Sequence, residues 1–182
     1  MTARDAPAMS ATGEATSTPA VEAGVEVAFY HLTATPLEKA LPALLERVLS
    51  RGWRAVIRAG SPERVKALDT QLWTYDPGSF LPHGAEGDAR ADRQPVWLTS
   101  GDDLPNDPQV LVLVDGMDVE PAGLAGFIRV LDLFDGGAVA AARDRWRAHK
   151  AAGHALTYWR QKPGGGWEKA GHLHLPLAMK RV

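Results

Sequence analysis

Cationic side chains recur along one face of the last predicted helix. Arg143, Arg147 and Lys150 stand at positions i, i+4 and i+7, which lie on the same side of a helix. Arg145 flanks this basic stripe, and Asp144 is the only acidic residue that opposes it. Guanidinium groups at this spacing can pair with carboxylates through charge-assisted hydrogen bonds. The spacing therefore points to a site for an anion.

An apolar stripe follows the same helical spacing beside the cations. Val139, Ala142 and Trp146 form it, and Phe134 precedes the helix. An acidic peptide could place its terminal hydrophobic side chain near Val139, Trp146 and Phe134 while the arginines pair with its carboxylates. The alternative is an amphipathic helix whose basic face is solvated near the negative end of the helix dipole. The pattern leaves both interpretations open.

Other residues with chemical potential carry weaker signals. Asp115 follows a predicted buried strand, but an Asp-Gly pair is also an ordinary turn signal, and no nucleophile or base can be assigned beside it. His172 and His174 share one strand face at a spacing that some metal sites use, yet no acidic partner lies nearby. His31 and His83 stand at predicted strand and loop ends, where hydrogen-bonded surface histidines are common. No catalytic residue, cofactor or metal is therefore assigned.

A loop rich in large apolar side chains suggests a second kind of site. Trp73 ends a predicted helix, and Tyr75, Phe80 and Leu81 follow it around an Asp-Pro-Gly turn. The turn explains why the helix stops, but loops are usually polar and solvated. These side chains either fold back onto the core or form a contact patch.

The hydrophobic period switches repeatedly between strand-like and helix-like from Val25 onward. Predicted strands cover residues 25–32, 55–59, 96–99, 110–114 and 128–134, and predicted helices cover residues 36–49, 63–73 and 138–152. Residues 84–94 are predicted to be a flexible polar stretch, and a glycine-rich turn joins residues 156–161 and 167–169 as a hairpin. Thr35 is expected to cap the first helix, with Pro36 at its first position. The alternation predicts an α/β fold: a single domain with a three-layer, mostly parallel, Rossmann-like sheet and helices on both faces.

Such a sheet invites a nucleotide-binding interpretation, but the required glycines are missing. The turn after the first strand, residues 31–36, contains neither G-x-G-x-x-G nor a Gly-Lys-Ser/Thr sequence. The turn Gly60-Ser61-Pro62 is better explained by helix capping, since proline removes one N–H donor that an anion would need. A small α/β enzyme or nucleotide binder with an unrecognised site stays as the alternative function.

Length and composition set further bounds. The chain has 182 residues, of which 45% are hydrophobic and 23% charged, enough for one globular core without metals or disulfides. It has no cysteine, which excludes thiolate metal sites and favours a reducing compartment such as the cytosol. The formal net charge of −2 gives no global attraction to nucleic acid or anionic lipid. Any such affinity would need a local basic patch.

The two ends of the chain are predicted to be poorly ordered. Residues 1–24 are rich in Ala, Thr, Ser, Pro and Glu and lack the apolar core of a signal peptide, so a disordered tail is expected. Residues 171–182 are expected to form a loosely ordered C-terminal tail after a domain covering residues 25–170. No apolar run approaches the roughly 20 residues of a membrane helix, so a cytoplasmic protein is expected.

Four segments, taken in order, resemble a known family. They are Leu68-Asp69-x-x-Leu72-Trp73, Ser79-Phe80-Leu81-Pro82-His83, Gln94-Pro95-Val96, and Ala142-Arg143-x-Arg145-Trp146-Arg147 before Ala152-Gly153. Together they closely resemble the chi subunit of the bacterial DNA polymerase III holoenzyme, over residues 25–159. The resemblance implies a noncatalytic clamp-loader accessory with an α/β fold. Such a subunit joins the replicase to the acidic C-terminal tail of single-stranded-DNA-binding protein and, by another surface, to the psi subunit.

The resemblance also implies roles for particular residues. The tail-binding arginine of the family and the basic residue one turn later match Arg143 and Arg147, with Trp146 in place of a smaller aromatic residue and Phe134 where the pocket wall is expected. A second contact surface of the family uses a tryptophan and a phenylalanine, which match Trp73 and Phe80 here; a purely structural role in the core is the alternative.

The chain departs from the family pattern in three places. It has a long N-terminal tail, a shorter link before the last helix and an extra hairpin that ends in Trp167 and His172. These departures put a psi partner in doubt.

Overall fold

A computed structural model describes residues 24–171 of the chain. Residues 1–23 and 172–182 lie outside the described part. The predictions for both tails and for His172 and His174 therefore fall outside it as well.

The described residues form a single α/β domain. Its strands are β1 (Glu26–Leu32), β2 (Ala55–Arg58), β3 (His83–Ala85), β4 (Val96–Thr99), β5 (Val110–Leu113), β6 (Arg129–Asp135), β7 (Ala155–Gln161) and β8 (Trp167–Ala170). Its α-helices are α1 (Leu37–Leu49), α2 (Pro62–Thr74) and α3 (Val139–Ala151). The predicted strands and helices are thus present, and their ends differ from the predicted ones by at most one residue.

The strands build one mostly parallel sheet. Its order is β3-β4-β2-β5-β6-β1-β7-β8, and only the β7–β8 pair is antiparallel. The register places Ala28 of β1 beside Leu131 of β6 and Thr157 of β7. Since neighbouring strands run the same way, the loops after β1, β5 and β6 meet at one edge of the sheet.

Two hydrophobic clusters cover the sheet. Ala28 and Tyr30 of β1 belong to the first cluster, together with buried residues of α1 and α2. Val27 and Phe29 belong to the second cluster, together with Ala142 of α3. Successive strand residues point to opposite faces, and α1 and α2 contribute to one cluster whereas α3 contributes to the other.

The helix starts follow local chemistry, with one correction. At α2 the predicted cap is confirmed: the Ser61 side chain accepts a hydrogen bond from the Arg64 amide, with Pro62 as the first helical residue. At α1 the predicted Thr35 cap is wrong, because Pro36 takes the capping position and makes no side-chain cap bond. The Thr35 hydroxyl accepts instead from Gln161 Nε2 at 2.6 Å, which ties the loop after β1 to the end of β7.

The predicted flexible stretch after the aromatic loop is also wrong in part. His83–Ala85 forms β3, a short parallel edge strand on β4, and Asp88 accepts a hydrogen bond from the Ala85 amide at 2.9 Å. A three-residue strand with two small residues carries no period-2 signal. It exists because β4 offers an open edge to pair with.

Candidate functional site

Helix α3 presents different chemistry on its inner and outer sides. Its buried residues are Ala142, Arg145 and His149. The structure corrects the predicted place of Arg145, which does not flank the exposed basic stripe. Arg145 points inward and donates to both carboxylate oxygens of Asp132 on β6, at 2.7 and 2.8 Å.

The Arg145–Asp132 ion pair is almost fully removed from water. Burial raises the pKa of Asp132, and the facing guanidinium opposes that effect. A buried charge needs such a partner because desolvation of an unpaired ion is costly. The pair therefore holds α3 against the sheet and is not a ligand site.

The outer side of α3 carries the stripe predicted to bind a carboxylate. Arg143 is half-buried, whereas Arg147 and Lys150 are exposed. Arg147 pairs with Asp144 at 2.7 Å, and these two side chains are 74% and 70% exposed. Such an exposed pair contributes little to stability, so Arg147 can exchange Asp144 for another carboxylate at small cost.

Apolar side chains lie directly beside these cations. Val139 and Trp146 are partly buried and pack against the second cluster. The Trp146 ring lies 5.1 Å from the ring of Phe29, in a tilted arrangement. The structure thus places Val139, Arg143 and Trp146 along one border of the helix, between its buried and its solvated sides.

Phe134 occupies a different position from the other predicted site residues. It is only 2% exposed, stacks on His31 at 4.9 Å and meets the edge of Phe29 at 6.4 Å. Phe29 in turn contacts Trp146. Phe134 therefore supports the Trp146 region from behind, through Phe29.

A cleft of about 520 Å³ opens at the carboxyl edge of the sheet. Arg64 lies in it between two carboxylates, 2.6 Å from Asp115 and 2.9 Å from Glu38. A hydrogen bond from its own backbone amide and the nearby guanidinium lower the pKa of Glu38. Asp115 has φ +56 and is followed by Gly116 at φ +76, so it is both a turn residue and the partner of Arg64. A guanidinium already paired twice does not favour a phosphate, and the cleft gives no support to a nucleotide site.

Some apolar side chains of the aromatic loop fold back onto the core, and others are exposed. Leu81 is buried and Tyr75 packs against the first cluster, so these two fold back onto the core. Trp73 and Phe80 are 56% and 71% exposed, with ring centroids 6.1 Å apart. The Trp73–Phe80 pair is therefore exposed and does not fold back onto the core, and its role as a contact patch stays a prediction.

The predicted surface histidines are buried. The Nδ1–H of His83 donates to the Leu81 carbonyl oxygen at 2.7 Å, and its Nε2 lies 3.3 Å from Asp69 Oδ1. His31 lies 2.9 Å from the Tyr158 hydroxyl, and burial lowers the pKa of its imidazole. Both side chains are hydrogen-bonded as expected, but their role is to join neighbouring elements.

Sequence patterns missed two features of the described residues. The first is Asp132, whose place in an apolar strand is the signal that a buried cation must face it. The second is a group of arginines around Trp53. The sequence signal for it is the i, i+4 spacing of Arg47 and Arg51 near the end of α1.

Comparison with known proteins identifies the family. The profile of the DNA polymerase III chi subunit, HolC, matches residues 25–157. A protein of Rickettsia prowazekii (strain Madrid E) named "Probable DNA polymerase III subunit chi" is 29% identical over 94 residues, which cover 52% of this chain and 57% of the relative. The chain belongs to the family of the DNA polymerase III chi subunit, an accessory subunit in DNA replication. The match extends over little more than half of that relative's length.

No helix within residues 24–171 is long and apolar enough to cross a bilayer.

Proposed function

We propose that this chain is a noncatalytic accessory subunit of the DNA polymerase III clamp-loader complex, located at the replisome, and that α3 binds the acidic C-terminal tail of single-stranded-DNA-binding protein. One observation carries this proposal. Half-buried Trp146 and Val139 lie immediately beside Arg143, Arg147 and Lys150 on the outer side of α3. A peptide end with carboxylates and a hydrophobic last residue matches that combination.

The binding mode follows from the placement of the residues. The last side chain of the tail packs against Val139 and Trp146, while Phe134 fixes the ring of Phe29 beneath them. The terminal carboxylate and the preceding acidic side chains pair with Arg143 and Arg147. These ion pairs stay partly solvated, so the affinity is moderate and falls with salt.

The first prediction tests the site by calorimetry with a synthetic acidic peptide that ends in a hydrophobic residue. Replacing Arg143 with Ala should weaken binding by about 1–3 kcal/mol, the usual range for losing a hydrogen bond to a charged group. Exposed Arg93 lies outside α3 and serves as the control, since Arg93→Ala removes the same charge. Equal affinity of both variants would remove Arg143 from the site.

Modified peptides test the two halves of the site separately. Amidating the C-terminus removes a charge partner, and deleting the last hydrophobic side chain removes an anchor worth roughly 1.5–3 kcal/mol. Each change should weaken binding. If either modified peptide binds as well as the parent, the terminal residue does not occupy the Trp146 region.

We further propose that the Trp73–Phe80 patch binds a second replisome protein, the psi subunit or an equivalent. Exposed aromatic pairs commonly anchor protein interfaces, and this pair is followed by buried Leu81, which fixes the loop. We also propose a three-layer, Rossmann-like arrangement of the domain. It is supported by the two core clusters, since α1 and α2 contribute to one and α3 to the other. In this proposal α3 and the Trp73–Phe80 patch bring the protein to nucleic acid only through its partners.

A further inference from the structure

A small cleft of about 180 Å³ opens on the α1 side of the sheet, away from α3. It lies between the end of α1 and strands β1, β6 and β7. Its lining combines cationic and aromatic side chains: Arg47, Arg51, Arg129, Tyr30, Trp53 and Trp159. We call this the arginine–tryptophan cleft.

The positive charge of the cleft is only partly compensated. Arg129 forms an ion pair with Glu26, but neither Arg47 nor Arg51 forms an ion pair with any residue in the range 24–171. The Arg51 guanidinium lies over the Trp53 ring at 5.1 Å. A cluster of this kind attracts an anion even though the net charge of the chain is −2.

Two hydrogen-bond donors at the cleft, Arg129 Nε and Trp159 Nε1, are buried without an acceptor within the described part of the chain. Guanidinium and indole N–H groups donate and do not accept. Buried donors without acceptors are uncommon and costly. A ligand that carries acceptor oxygens would satisfy both donors.

Charge effects also converge on the Tyr30 hydroxyl. Burial raises the pKa of Tyr30, and the positive charges of Arg129, Arg47 and Arg51 oppose that rise. Arg47 of α1, Arg51 just after its end and Arg129 of β6 all line the cleft with Tyr30. An anion bound there would lie near several cations.

We propose that the arginine–tryptophan cleft binds a phosphate group of single-stranded DNA, with a neighbouring base against the partly exposed rings of Trp53 and Trp159. Aromatic rings interleaved with arginines are typical of surfaces that bind single strands. The volume suits one phosphate group, and three arginines line it together with the two indole rings. The inference does not depend on tail binding by α3.

Part of this cleft lies beyond the family match. The match ends at residue 157, whereas Trp159 follows it and Trp167 of β8 packs against Tyr30 at 4.8 Å. The β7–β8 hairpin thus supplies Trp159 to the cleft and Trp167 as a support for the ring of Tyr30, both from outside the matched region.

The experiment measures fluorescence anisotropy of a labelled oligodeoxythymidine of about 12 nucleotides, a length that one single-strand-binding domain can cover, with the full-length protein. The charge-reversed variant Arg47→Glu/Arg51→Glu is compared with Lys66→Glu/Arg93→Glu. The control has the same net charge, and its two changes lie at exposed positions outside the cleft. We expect the cleft variant to lose on the order of tenfold in affinity and the control to lose much less. Binding should weaken with salt, and the slope should be shallower in the cleft variant because fewer phosphates are neutralised.

Two further arms separate this site from others. Arg143→Ala/Arg147→Ala should keep oligonucleotide affinity, which distinguishes failure of this site from failure of the α3 site. Poly-glutamate serves as a competitor. Equal losses in the two charge-reversed variants, absence of binding by the parent protein at low salt, or displacement by poly-glutamate at matched charge would each overturn the proposal.

Discussion

At the scale of single residues, Arg145 and Arg147 have the same side chain and opposite environments. Arg145 is buried against Asp132 through two hydrogen bonds, whereas Arg147 is exposed and pairs with equally exposed Asp144. Helical geometry is the cause, because two positions along α3 turn the side chain by roughly 200°. Arginines of one helix therefore divide between holding the fold and meeting a partner.

The second prediction exploits this contrast. Arg145→Ala leaves the Asp132 carboxylate buried without its partner and should lower the free energy of unfolding by about 3–5 kcal/mol. Arg147→Ala should change it by less than about 1 kcal/mol, since exposed ion pairs contribute little. Urea denaturation checks both. Similar losses in the two variants would contradict the assigned environments.

At the scale of elements, a hydrogen bond joins α1 and α2 at a carbonyl group that a proline leaves without its helical donor. Pro42 lies inside α1 and has no N–H to donate to the Glu38 carbonyl one turn earlier. Gln71 of α2 fills this role, since its Nε2 donates to that carbonyl oxygen at 2.7 Å. The carbonyl group that has no donor within α1 is thus hydrogen-bonded to α2.

The third prediction concerns this bond. Gln71→Leu should leave the Glu38 carbonyl without its donor and cost about 1–3 kcal/mol of stability. Thr70→Ala, an exposed substitution on the same helix, is the control and should stay within about 0.5 kcal/mol. Thermal denaturation compares the two. Equal midpoints would mean that water replaces Gln71 without loss.

In the loop after α2, two neighbouring residues differ in their exposure to solvent. Phe80 is exposed and Leu81 is buried, so the loop backbone holds one side chain in the core and presents the other to solvent. That anchoring keeps an exposed aromatic pair in place at no cost to the core.

The fourth prediction separates these roles. Phe80→Ala should keep the thermal midpoint and the affinity for the acidic tail, yet release a second replisome partner in a pull-down. Leu81→Ala should lower stability by about 2–5 kcal/mol, as expected for a buried leucine. A sharp fall in the midpoint of Phe80→Ala with no partner released would make the patch structural.

At the scale of the whole molecule, buried imidazoles link stability to pH. Burial and the neighbouring His154, whose ring lies 5.6 Å away, lower the pKa of His149. Burial and then Arg160 lower that of His31. Both histidines are therefore neutral in the folded state at pH values where the unfolded chain takes up protons.

The fifth prediction follows from the sign of these shifts. A histidine whose folded pKa lies below its unfolded value binds fewer protons in the native state, so stability falls as pH decreases through the unfolded pKa. The free energy of unfolding should decrease from about pH 7 to about pH 5.5, before most carboxylates titrate. Urea titrations across this range measure it. Constant or rising stability toward acid would contradict the prediction.

The sequence alone determined the elements and the family of this protein. Val110 to Leu113 and the Ser61-Pro62 helix start were predicted because apolar runs and capping residues act locally. The order of short motifs from Leu68 to Gly153 was enough to indicate the chi family, which the profile match confirms. A local sequence pattern predicts an element when the residues that stabilise the element are close together in the chain.

Only the tertiary structure decided which polar and aromatic side chains are available to a partner. The environments of Arg145, Phe134 and Phe80 depend on residues far away in the chain, and no local pattern distinguishes a buried arginine from an exposed one on a helix. The arginine–tryptophan cleft likewise joins α1 to β7, which are more than 100 residues apart in sequence. Burial is a property of packed elements, so the identity of each surface emerges only when the sheet and its helices are assembled.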